Sequence, residues 1–73
     1  MNKVYRVRAR IGGDSGVFMG HFEMFFATKP SASDILKVLR AENPDADASP
    51  ILAKTIEGIR QNKFTVTQED VYP

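Results

Sequence analysis

Lys3-Val4-Tyr5-Arg6-Val7-Arg8-Ala9-Arg10-Ile11 alternates residue by residue, with Tyr5, Val7, Ala9 and Ile11 on one side and Arg6, Arg8 and Arg10 on the other. A period of two belongs to an extended strand, whose successive side chains point to opposite faces. One side is apolar and the other cationic, which predicts a sheet that faces a core on one surface and water on the other.

The residues that follow extend this strand into a hairpin. Gly12-Gly13-Asp14-Ser15-Gly16 supplies three glycines for the positive φ values that tight connections need. Residues 17–27 then form a second strand rich in phenylalanine. Its even positions are Phe18, Gly20, Phe22, Met24 and Phe26; its odd positions are Val17, Met19, His21, Glu23 and Phe25. Matching the two apolar faces requires the indices of opposed residues to sum to an odd number. A sum of 29 leaves residues 13–16 as the loop and sets Ala9 beside Gly20, Val7 beside Phe22, Arg6 beside Glu23 and Arg8 beside His21.

Beyond the hairpin the period changes. Thr28-Lys29-Pro30 breaks the strand, and Ser31 or Ser33 caps a helix, with Asp34 completing a capping-box variant on Ser31. Ile35, Val38, Leu39 and Glu42 recur at helical spacing, with Leu36 widening the stripe, until Asn43-Pro44 ends it. Residues 45–48 read as a loop. Ser49-Pro50 restarts a helix by the serine-cap, proline-first rule, with Leu52, Thr55, Ile56 and Ile59 as its buried stripe, helped by Ile51. Gln61-Asn62-Lys63 closes it, and Phe64-Thr65-Val66-Thr67 alternates as a third strand that fades into a loose tail over residues 68–73.

The expected fold is therefore α+β: one domain over residues 1–73, in the order β-β-α-α-β, with a three-stranded, mainly antiparallel sheet and two helices on one face. The hydrophobicity of strand two favours the spatial order 1-2-3. The alternative, 3-1-2, would set strand three parallel to strand one. No repeat or linker divides the chain, and 73 residues suffice for one small core only.

Composition narrows the function classes. With no cysteine there is no disulfide framework or thiolate zinc site, which suits a reducing compartment. The N-terminus lacks the apolar run of a secretory signal, and no uncharged stretch approaches a membrane span, so a cytoplasmic location is expected. The net charge of +1 divides into +3 over residues 1–16 and −2 over residues 17–73. Anion binding would thus be local to the hairpin.

Catalytic motifs do not hold together. Gly13-Asp14-Ser15-Gly16 matches the residues around the nucleophile of chymotrypsin-type proteases, but a triad also needs a histidine held by a buried carboxylate. It reads as a turn. No Gly-Lys-Ser or Gly-Lys-Thr follows these glycines, which excludes a P-loop. Asp45-Ala46-Asp47-Ala48-Ser49 begins like an EF-hand loop, yet Pro50 and Ile56 stand where glycine and a bidentate glutamate belong. His21 is the lone histidine and has no ligand or triad partner, while Glu69 and Asp70 are adjacent and point apart on an extended chain. No enzyme activity, cofactor, metal or small-molecule ligand is expected.

Two surface features remain. Arg6, Arg8 and Arg10 repeat every ~6.6–7 Å along a strand, comparable to successive phosphates of a nucleic-acid strand. Strand two is apolar on both faces, with Met19 and Phe25 on the side away from the helices. The functional expectation is a small non-enzymatic interaction or regulatory module, of the kind found among bacterial and phage accessory proteins. It would bind a protein partner or a second copy of itself through the hairpin, using Arg6, Arg8, Arg10, Met19, His21 and Phe25. The alternative is a nucleic-acid binder using the arginine row, although the hairpin has no stacking platform of aromatic rings.

Overall fold

The computed structural model describes residues 2–12 and 20–71. Strand β1 (Asn2–Arg10) and strand β2 (His21–Phe26) form the hairpin, followed by helix α1 (Ala32–Glu42), helix α2 (Pro50–Arg60) and strand β3 (Phe64–Val71). A single 3₁₀ turn, Ala46–Ala48, joins the helices where the sequence reads as a plain loop, and Ala46 is buried in it. The α+β architecture and the β-β-α-α-β order are as expected.

Both helix starts follow from their caps. Ser31 Oγ accepts from the Asp34 backbone N–H at 3.2 Å, and the Ser31 N–H donates to Asp34 Oδ2 at 2.9 Å, closing the capping box. The two Ser31 hydrogen bonds, first the backbone one and then the side-chain one, hold the Asp34 carboxyl below its ordinary pKa, with Lys37 adding a charge effect. Ser49 Oγ accepts from the Leu52 N–H at 3.3 Å, and Pro50 occupies the first turn, where its missing N–H costs nothing. At the far end of α2, the Lys63 N–H reaches the Gly58 carbonyl and the Asn62 N–H reaches the Ile59 carbonyl, both at 2.9 Å. With Asn62 at φ 60°, this is a Schellman stop, and it turns the chain straight into β3.

The core lies between the helices and one face of the sheet. Val7, Ala9 and Met24 from the strands meet Ile35 and Leu39 of α1 and Ile56 and Ile59 of α2, with Phe22, Phe26, Phe64 and Val66 around them. Each fully buried aliphatic side chain here contributes about 1.5–3 kcal/mol. Ile51 and Glu42, expected to help the helical stripes, are exposed; Ile51 sits one residue outside the Thr55, Ile56 and Ile59 face. A buried threonine ties α2 to the hairpin. Thr55 Oγ1 accepts from the Gly12 N–H at 2.7 Å and donates to the Ile51 carbonyl at 2.8 Å.

Three sequence expectations are corrected. The hairpin register sums to 31, not 29: Val7 faces Met24, Arg8 faces Glu23, Ala9 faces Phe22 and Arg10 faces His21. The parity was right, so the faces are as expected. The shifted register sets Gly20 beside Ile11, whose N–H donates to the Gly20 carbonyl at 2.9 Å, instead of beside Ala9. The predicted loop at residues 13–16 lies outside the described residues.

The sheet order is β2-β1-β3, so strand one, not strand two, is central. Nor is β3 parallel to β1, as that order was expected to require. It runs antiparallel, with Phe64 beside Ala9 and Val71 beside Asn2. Charge favours this placement: β3 brings Asp70 to Lys3 at 3.8 Å and Glu69 to Arg6 at 3.3 Å, whereas β2 would offer it a like charge in Glu23. Finally, residues 68–71 are strand rather than loose tail. Their polarity reflects the end of the sheet beyond the helices, where Gln68 Nε2 donates to the Tyr5 hydroxyl at 3.3 Å. Residues 72–73 lie outside the described residues.

Candidate functional site

The helices cover one face of the sheet and leave the other open. On the open face β1 presents Arg6, Arg8 and Arg10; β2 presents His21, Glu23 and Phe25; β3 presents Thr65, Thr67 and Glu69. Five of the six expected interaction residues thus share one surface. The sixth, Met19, lies outside the described residues.

The three arginines are not equivalent. Arg6 stands between two carboxylates, with Nη1 at 3.3 Å from Glu69 Oε1 and Nε at 3.7 Å from Glu23 Oε2. Its Nε is buried and makes no hydrogen bond, since 3.7 Å exceeds hydrogen-bonding reach. Arg8 shares Glu23, through Nε at 3.9 Å. Arg10 lies opposite His21 at the end of the strand pair. Such half-exposed pairs contribute about 0–1 kcal/mol each, and they set two carboxylates against Arg6 and one against Arg8.

Phe25 lies directly opposite Arg6 and is 61% exposed, the most exposed large apolar side chain among the described residues. At the other end, Arg8, Arg10, His21, Asn62, Lys63 and Thr65 line an open groove of about 470 Å³. Among the described residues, two further hollows are lined as follows. One of about 190 Å³ lies under the hairpin beside Leu39, Leu52 and Thr55, and one of about 590 Å³ lies along the helices beside Leu36, Lys37, Arg40 and Arg60. Among the described residues no three His, Cys, Asp or Glu side chains converge as a metal site, and no helix is long and apolar enough to cross a membrane.

Sequence reading brought Arg6, Arg8, Arg10, His21 and Phe25 to one face and set Glu23 beside Arg6, where a 3.7 Å ion pair forms, but it missed the neighbours that β3 supplies. Glu69 reaches Arg6 only because β3 continues past Thr67, and Asn62 and Lys63 line a groove with Arg10 only because β3 pairs with β1. The legible signal was parity: Glu69 has the same parity as Thr65 and Thr67, so a longer strand places it on their face. Comparison with known proteins finds no matching protein-family model, curated protein or solved structure.

Proposed function

We propose that this chain is a small, non-enzymatic interaction module of the cytoplasm that docks an acidic protein partner on the open face of its sheet. The observation that supports this most is Phe25, held out on a rigid strand and 61% exposed, with arginines beside it. A folded domain gains nothing by keeping a phenylalanine in water, whereas an interface anchored on a buried aromatic gains about 1.5–3 kcal/mol from covering it. Arg8 and Arg10, further along the same face, carry guanidiniums suited to planar, multi-donor recognition of carboxylates on an acidic surface. The arginine row is a poorer fit to a nucleic-acid strand, because its first member is held between two glutamates.

The test is affinity capture followed by binding measurements with the purified partner. Phe25→Ala is expected to weaken binding by about tenfold or more, while Lys37→Ala on the helical side leaves it unchanged. A partner held equally well by wild type and Phe25→Ala, or no partner together with a strict monomer by light scattering, would overturn the proposal.

A further inference from the structure

We infer that the outer edge of β3 pairs with β3 of a second copy of this chain, antiparallel about a two-fold axis at Thr67, joining two sheets into one. The hydrogen-bond pattern identifies the backbone groups on offer. Ile11 stands one step beyond the Arg10–His21 pair, and its N–H donates to the Gly20 carbonyl opposite. Bonded and non-bonded pairs alternate along an antiparallel ladder, so odd residues of β1 bond to β2 and even ones turn toward β3. Asn2, Val4, Arg6 and Arg8 lie opposite Val71, Glu69, Thr67 and Thr65, which commits the odd residues of β3 to β1. Phe64, Val66, Gln68 and Asp70 therefore turn their backbone N–H and C=O groups outward. The order β2-β1-β3 makes this an edge, and among the described residues no further strand pairs with it.

Edges that stay single are short, or carry proline, a bulge, lysine or an inward-pointing charge. β3 has eight residues, none of them proline, glycine or lysine, and it pairs with β1 without a bulge. Its two charges are drawn across to β1, Glu69 to Arg6 at 3.3 Å and Asp70 to Lys3 at 3.8 Å. A second copy fits because the edge is complementary to itself. A two-fold axis perpendicular to the sheet keeps each face continuous and opposes residues of equal parity. With Thr67 on the axis, Phe64 meets Asp70 of the second copy and Val66 meets its Gln68. All four outward-facing residues are then paired, each pair exchanging two hydrogen bonds, and no like charges are opposed. Moving the axis to Val66 leaves Asp70 opposite Asn62, which at φ 60° is outside the strand. Moving it to Gln68 carries Phe64 past the end of β3 and brings the two Glu69 carboxylates onto neighbouring diagonal positions. The inference goes beyond the docking reading and uses a different surface. It sets the open faces of both copies, each with its Phe25, on one side of the joined sheet.

An interface of one strand from each copy is small and belongs to the weak, reversible class. The experiment is sedimentation equilibrium of the full chain up to about 1 mM, the weak end of the affinity scale, and a concentration-dependent dimer is expected. Gln68→Pro removes an outward N–H and leaves the β1 ladder intact, so it should weaken the dimer by about tenfold or more. Thr67→Lys, at an exposed position, sets two lysines against each other on the axis and should act the same way without unfolding the chain. Circular dichroism confirms that each variant is folded. The chain has no cysteine, so single-cysteine variants report the register. Thr67→Cys should cross-link to its own copy on mild oxidation, because a non-bonded pair brings Cα atoms to about 4.5 Å, within disulfide reach. Thr65→Cys, four residues out of register with its own copy, should stay monomeric. A strict monomer at about 1 mM, or Thr65→Cys coupling faster than Thr67→Cys, would overturn the inference. So would a dimer kept by folded Gln68→Pro and Thr67→Lys and lost in Phe25→Ala, which would put the second copy on the open face. The two proposals fail separately: a dimer kept in Phe25→Ala supports the β3 edge whether or not a partner is found, and Phe25-dependent partner binding by a strict monomer supports docking alone.

Discussion

Thr55→Val tests whether one buried hydroxyl holds the hairpin onto the helices. The substitution keeps the shape of the side chain and replaces an oxygen that is 1% exposed as a residue and accepts the Gly12 N–H at 2.7 Å. The lost donation to the Ile51 carbonyl matters less, because that carbonyl lies within the helix ladder. The Gly12 N–H, by contrast, is left buried without a partner, at a cost of about 1–3 kcal/mol. In a domain of this size each kcal/mol moves Tm by roughly 4–8 °C, so a mid-range loss of about 2 kcal/mol lowers Tm by roughly 8–16 °C. Thermal denaturation by circular dichroism reads this directly. Thr55→Ser keeps the hydroxyl and loses one methyl, so it should cost only about 0.8 kcal/mol. Hydrogen exchange supplies a second readout, since the Gly12 amide should lose protection in Thr55→Val and keep it in Thr55→Ser. A Thr55→Val protein as stable as the wild type, or less damaged than Thr55→Ser, would refute the reasoning.

Four other perturbations follow from the same structure. Ser49→Ala removes the cap of α2 and should cost about 1 kcal/mol in urea denaturation. Gly20→Ala meets no atom within 4 Å, yet its φ of 105° should make it destabilising by about 1–3 kcal/mol from backbone strain alone. Glu23→Gln should change stability by less than about 1 kcal/mol, since its partners are half-exposed. Asp34 has a folded-state pKa below its unfolded one, so its contribution is complete above the unfolded value and is lost as pH falls through the folded one. A pH series of melting curves should therefore show wild type losing stability on acidification more steeply than Asp34→Asn.

Much of this protein is readable locally because local physics decides it. Alternation in residues 3–11 placed Val7 and Ala9 inside and the arginines outside, and no tertiary detail altered that, because a strand has only two faces. Ser31, Ser49 and Pro50 start their helices with their own side chains, a matter of three or four neighbouring residues. Register, strand order and strand length were not legible in this way. The register turned on Gly20 meeting Ile11 instead of Ala9, a choice two registers of equal parity leave open, and the position and direction of β3 turned on where the helical connection returns the chain. Residues 68–71 carry no apolar alternation, and pairing with β1 makes them a strand. The candidate site lies on this second kind of feature. Sequence alone determined that three arginines share a face with His21 and Phe25. Only tertiary structure decided that Glu69 joins Glu23 against Arg6 and that Lys63 lines one groove with Arg10, because those residues are brought together across strands and no local period encodes them.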